Sequence, residues 1–125
     1  MTPGVFLLIA AGGGLGAVAR FVVDGLITWR EGRRFPWGIL VVNISGSLLL
    51  GLVTGLASSG LLGLPWLAVL GAGVLGGYTT FSTAMVDSIR LVHERDRGRA
   101  IVNAFGMLAA TLLAAAGGLL LGLAV

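Results

Sequence analysis

The sequence predicts an all-α membrane protein of four transmembrane helices with a break in the third. Three observations carry this. Apolar runs of about 20 residues, the length that crosses a hydrocarbon core, recur four times with short connections between them. The chain is 57% hydrophobic and only 10% charged, with mean hydropathy +1.04, whereas a soluble domain carries about 25% charged residues. The third run contains Gly76-Gly77-Tyr78-Thr79-Thr80-Phe81-Ser82-Thr83. Two glycines weaken a helix there, and clustered hydroxyls need partners in hydrocarbon. A single domain over residues 1–125 is expected.

Span 1 is expected from about Gly4 to Thr28, with Arg20 and Asp24 in its second half. Met1-Thr2-Pro3-Gly4 lacks the basic segment of a cleavable signal, so this first run reads as a helix that stays. Span 2 is expected from Trp37 to Ser58. Span 3 starts at Leu64 or Pro65 and extends to about Val92. Span 4 is expected from about Ala100 to Leu123. Trp29, Trp37 and Trp66 fall at span ends, as interfacial aromatics do. Pro36 and Pro65 stand where proline starts a helix.

Charge sets the orientation. All eight basic residues are arginines. The first and third connections collect Arg30, Arg33, Arg34, Arg95, Arg97 and Arg99, and the second collects none. The positive-inside rule then predicts loops 1 and 3 in the cytoplasm and both termini outside. The net charge of +3 comes from these loops and does not indicate nucleic acid. With no cysteine, disulfides and thiolate metal sites are excluded.

Each span carries a G-x-x-x-G pair: Gly12/Gly16, Gly51/Gly55, Gly73/Gly77 and Gly118/Gly122. Such pairs let helices touch closely in lipid. Four spans make a thin bundle, so some of these faces are expected to serve oligomerisation. Gly12-x-Gly14-x-x-Ala17 and Gly71-x-Gly73-x-x-Gly76 imitate a dinucleotide fingerprint, but the strand–turn–helix context is missing. Asn43-Ile44-Ser45 is a glycosylation sequon in letters only, since it lies inside span 2. His93 is alone beside a charged loop. No nucleophile–base or carboxylate pair stands out, so no enzyme is expected.

The remaining polar residues point to ion passage. A broken helix at membrane depth frees carbonyls for cations and N–H groups for anions. Arg20 either pairs with Asp24 one turn on or draws anions into a vestibule. Asn43 either binds a neighbouring helix or offers its amide to a dehydrated anion. Asn103, Met107 and Thr111 share one stripe of span 4, with donors at its two ends. Phe81 either packs or turns its positive ring edge to an anion.

Three segments in this order resemble the Fluc (CrcB) family of fluoride channels over essentially the whole chain. They are Gly13-Gly14-Leu15-Gly16-Ala17-Val18-Ala19-Arg20-Phe21, then Val42-Asn43-Ile44-Ser45-Gly46-Ser47, then residues 76–83. The resemblance implies a multi-pass subunit of the cell (inner) membrane that forms an antiparallel dimer in the lipid bilayer. Two narrow pores would pass the fluoride ion, and a structural Na+ would lie at the dimer centre. By position, the backbone carbonyls of Gly76 and Thr79 would hold Na+. Asn43, Phe81, Ser82 and Thr83 would line the pore with the span 4 donors Asn103 and Thr111, and Arg20 would stand at the vestibule.

Two departures from the family pattern matter. The motif usually ends in a second phenylalanine, here Ala84. Span 4 usually carries a hydroxyl where this chain has Met107, and often a tyrosine where it has Asn103. These gaps, with the one-sided arginine count, imply pairing with a homologous second subunit in the opposite orientation. The expected function is a fluoride channel subunit exporting fluoride passively. A small multidrug-type proton-coupled transporter would need a carboxylate inside the membrane, and Asp24 and Asp87 lie near span ends. A non-conducting packing subunit is the other alternative.

Overall fold

A computed structural model describes residues 2–125, and Met1 lies outside the described residues. Four helices long and apolar enough to cross a membrane run over Pro3–Glu31, Trp37–Ser58, Leu64–His93 and Arg97–Ala124. They are spans 1 to 4. Among the described residues there is no strand.

Local chemistry sets the ends. The Thr2 hydroxyl accepts from the Val5 N–H, and Pro3 occupies the first turn of span 1. Gly32, at φ 78°, ends that span in a conformation that a side chain would strain. Span 4 begins three residues before the sequence reading places it, because the Asp96 carboxylate accepts from the Arg99 N–H. Hydropathy marks what enters lipid, whereas capping marks where helical bonding starts. For the same reason span 1 continues past Thr28 to Glu31. Wide π-type turns run through Ala68–Leu75 and Val102–Gly106.

The bundle is held by glycine. On span 2, Gly51 lies against the Ala115 carbonyl, and Gly55 against the Leu119 carbonyl and Gly122. In return, Gly118 of span 4 meets the Leu48 carbonyl, and Gly122 meets the Leu52 carbonyl. Span 1 and the first limb of span 3 dock likewise. Gly12 and Gly16 face Val74, Gly73 faces Ile9, and Gly77 faces Gly13. All four G-x-x-x-G pairs are therefore used inside one chain. This corrects the expectation that some serve oligomerisation: a bundle this thin gains its close packing only by bringing backbones into contact. The outward faces carry leucine, valine and phenylalanine instead, with Trp29, Trp37 and Trp66 exposed near span ends.

Loops 1 and 3 share one end, where an Arg90 guanidinium N–H donates to the Arg33 carbonyl at 3.1 Å. At the other end the Ser59 hydroxyl donates to the Gly122 carbonyl at 2.8 Å. The packing predicts a contrast between glycines. Gly118→Val pushes a side chain into the Leu48 backbone and should cost about 1–3 kcal/mol or more. Gly14→Ala meets open space and should be neutral or stabilising by about 1 kcal/mol. Thermal unfolding of the two variants in detergent checks this; equal midpoints would contradict the packing.

Candidate functional site

Span 3 is broken as the sequence predicts, but at Thr79–Thr80 and not at the Gly76-Gly77 pair, which stays helical. Helix ends at Tyr78, Thr79 and Thr80 are extended (ψ 158° and 125°), and helix resumes over Phe81–His93. Thr80 caps the second limb, its hydroxyl accepting from the Thr83 N–H at 3.3 Å. The Thr80 backbone is closed from span 2. Asn43 Oδ1 accepts the Thr80 N–H at 2.8 Å, and Asn43 Nδ2 donates to the Thr80 carbonyl at 2.8 Å. One side-chain amide thus satisfies both halves of a backbone position that no helix serves. Asn43 is only 7% exposed, and a buried polar group left unpaired costs about 1–3 kcal/mol.

The rest of the span 2 motif receives the same break. The Ser45 hydroxyl donates to the Val41 carbonyl and lies 3.1 Å from the Tyr78 hydroxyl. Gly46 leaves room for the Thr79 methyl and the Tyr78 ring. In an unbroken helix the Thr80 N–H would serve the Gly76 carbonyl, and the Thr83 N–H would serve the Thr79 carbonyl. Both donors are diverted. The break therefore releases the carbonyls of residues 76–79, those of Gly76 and Thr79 among them.

A cavity of about 230 Å³ opens beside the clasp, between spans 2, 3 and 4. Asn43, Ser47, Thr79, Phe81 and Thr111 contribute to its wall. Ala84 and Met107 stand there too. Phe81 sits at the start of the second limb and is 77% exposed. A second Asn43 Nδ2 contact runs to the Met107 sulfur at 3.2 Å, a weak acceptor.

A second cavity, about 660 Å³, opens at the arginine-rich end. Asp24, Thr28, Arg33, Thr83, Asp87 and Arg90 reach it. Arg90 pairs with Asp87 at 3.6 Å and with Glu94 at 3.5 Å. Ile39 of its wall packs with Ala84 and Met107 of the first cavity in one buried apolar cluster.

The structure brings together some of the residues singled out from sequence and separates others. Asn43, Thr79, Phe81 and Thr111 share the first cavity. Ser82 is exposed, its hydroxyl 3.3 Å from that of Thr80. Thr83 accepts from the Thr80 hydroxyl at 3.1 Å and reaches the second cavity. Asn103, 1% exposed, lines neither cavity: its Nδ2 donates to the Ala84 carbonyl and the Ser88 hydroxyl. Arg20 is half-buried and lines neither. Its pairing with Asp24 does not form; Asp24 accepts from Thr28 and abuts Gly38. The sequence reading missed Thr80, whose signal was a hydroxyl immediately before a resuming helix. It also missed Met107 as an acceptor, for which the sequence carries no signal.

The clasp predicts the behaviour of Asn43 variants. Asn43→Leu leaves both Thr80 groups unpaired and should lose about 1–3 kcal/mol for each. Hydrogen exchange at the Thr80 amide should accelerate, and the thermal midpoint in detergent should fall. A variant whose Thr80 amide stays as protected as in the parent would refute the clasp.

The family model for "CrcB-like protein, Camphor Resistance (CrcB)" matches residues 7–119 of the chain. A protein of Leifsonia xyli subsp. xyli named "Fluoride-specific ion channel FluC 1" is 48% identical over 122 residues, covering 98% of this chain and 89% of its own. A protein of the same name from Symbiobacterium thermophilum is 49% identical over 123 residues, covering 94% and 96%. "Fluoride-specific ion channel FluC" of Opitutus terrae is 42% identical over 113 residues, covering 88% and 86%.

Proposed function

The chain belongs to the CrcB-like family, and on that premise we propose that it is a fluoride-specific ion channel subunit, passing fluoride passively down its gradient. It is a multi-pass membrane protein and not an enzyme. The observation that carries the reading is the broken third span, which gathers Asn43, Phe81 and Thr111 around one cavity in a chain nearly half identical to proteins named for fluoride conduction. Neither the multidrug-type transporter nor the non-conducting subunit has support in these relatives.

Fluoride in a narrow passage must exchange water for fixed donors, and must leave again. Asn43 Nδ2 and the Ser47 hydroxyl supply donors on the cavity wall, the Thr111 hydroxyl joins them by turning away from the Met107 carbonyl to which it donates at 2.8 Å, and Phe81 supplies a ring edge. The contact from Asn43 to the Met107 sulfur is the weak member of the Asn43 set. An arriving anion displaces it at small cost while the Thr80 bonds hold the amide in place. Ser82, Thr83, Asn103 and Arg20 act from outside this cavity: the two hydroxyls as a polar wall, Asn103 as a brace behind Ala84, Arg20 as a vestibule charge.

Two further parts belong to the reading. The Gly76 and Thr79 carbonyls suit a structural Na+, since hard cations take oxygen ligands. One chain offers two such oxygens, and an antiparallel partner completes the set. That partner is a homologous second subunit, which supplies the aromatic ring absent at Ala84. Its presence also accords with loop charge: six arginines against none favour one orientation for this chain, in the cell (inner) membrane with both termini outside.

Liposomes loaded with fluoride and read with an electrode test the function. The reconstituted channel, alone or with its partner, should release fluoride and retain chloride; no release from any form would end the channel reading. Asn43→Leu and Thr111→Val should each slow release about tenfold or more, the loss of one hydrogen bond to a charged group, ~1.5–3 kcal/mol. Reporter fusions at Val125 should signal from outside only. Equal signals from both sides would indicate dual topology and remove the argument for a distinct partner.

A further inference from the structure

The arginine-rich end carries a groove between spans 3 and 4 that the ion pathway does not use. Its volume is about 400 Å³. Ile89 and Val92 of span 3 face Ile101 and Phe105 of span 4 across it, and Arg97 stands at its rim. All four apolar side chains are more than half exposed. Ser88 also contributes, but its hydroxyl is spent on the Ala84 carbonyl and the Asn103 amide. The walls are therefore hydrocarbon. From Arg97 to Phe105 they extend about 12 Å along the helix axis, at 1.5 Å per residue.

The rim has the opposite character. Arg90 is paired with Asp87 and Glu94, and Arg99 with Asp96 at 3.0 Å. Arg97 makes no ion pair or side-chain hydrogen bond among the described residues. The nearest acid along the chain, Asp96, is already committed to Arg99 and to capping span 4. An apolar cleft thus runs from membrane depth up to an uncompensated cation at the level where span 4 leaves the lipid.

We propose that this groove binds an anionic phospholipid, its acyl chain against Ile89, Val92, Ile101 and Phe105 and its phosphate on Arg97. Charge complementarity selects the occupant. A zwitterionic headgroup brings its own cation and gains less from Arg97, whereas an anionic one meets a guanidinium with free donors. The surrounding Arg33, Arg34 and Arg95 attract anionic lipid to this end without distinguishing one position from another. The groove adds the position.

Native mass spectrometry of the purified channel with equal amounts of phosphatidylglycerol and phosphatidylcholine tests this. The parent should retain phosphatidylglycerol over phosphatidylcholine by about fivefold, the preference expected of one arginine near a membrane surface. Arg97→Gln should bring the ratio close to one, and Arg95→Gln should leave it unchanged. Ile101→Trp and, as a second filling variant, Val92→Trp should reduce retention of both lipids. Equal losses in Arg97→Gln and Arg95→Gln would show diffuse surface attraction and overturn the site. Unchanged retention in either folded filling variant would overturn the groove. So would a filling variant that keeps its lipid but falls apart into single subunits, since a second copy would then be the occupant.

Discussion

Everything in the functional half of the molecule depends on two hydrogen bonds between Asn43 and the backbone of Thr80. A helix can be interrupted inside a membrane only if its orphaned N–H and C=O groups find partners in the protein. Span 2 provides them from one largely buried side chain. The interruption then releases the carbonyls of residues 76–79 and starts a new limb at Phe81. Ser45 and Gly46 extend the same contact to Tyr78 and Thr79. The span 2 motif is therefore a receptor for the break, and the two motifs have meaning only together.

A clasp of this kind needs rigid supports. Glycine supplies them, because helices in lipid gain nothing from hiding leucine from a solvent that is itself apolar. They gain from dispersion contacts between backbones, which small residues permit. Span 2 with span 4, and span 1 with the first limb of span 3, form two such pairs. The second limb of span 3 is held more lightly, by Asn43 and Thr80 at its start, by Asn103 on the Ala84 carbonyl and by Arg90 at its far end. The cavities lie along this lightly held limb, and the Ile39–Ala84–Met107 cluster separates them.

Ala84, Asn103 and Met107 pack against one another. Ala84 is 2% exposed and leaves its carbonyl open to Asn103. The short Asn103 side chain reaches it where a tyrosine ring would need more space. Met107 fills the volume beside Ala84 and turns its sulfur to Asn43. Only the Asn103 oxygen lacks a partner among the buried side-chain atoms described. Ala84, Asn103 and Met107 thus meet at one buried point of the bundle.

Composition and periodicity by themselves determined four spans, the break between Gly76 and Phe81, and the end of the molecule at which arginine collects. These follow from local energies: hydrophobic length against bilayer thickness, glycine against helix, charge against lipid. The importance of Asn43 was legible as a polar residue with no reason to be in lipid, and Phe81 and Thr111 as neighbours of that chemistry. Only the tertiary structure decided which polar groups are already satisfied. It turned Asn103 to Ala84 and Ser88, separated Arg20 from Asp24, committed every G-x-x-x-G pair within one chain, and made Thr80 the partner of Asn43. A hydrogen bond between residues 37 apart in sequence depends on where two helices cross, and spacing along one chain carries no record of that crossing.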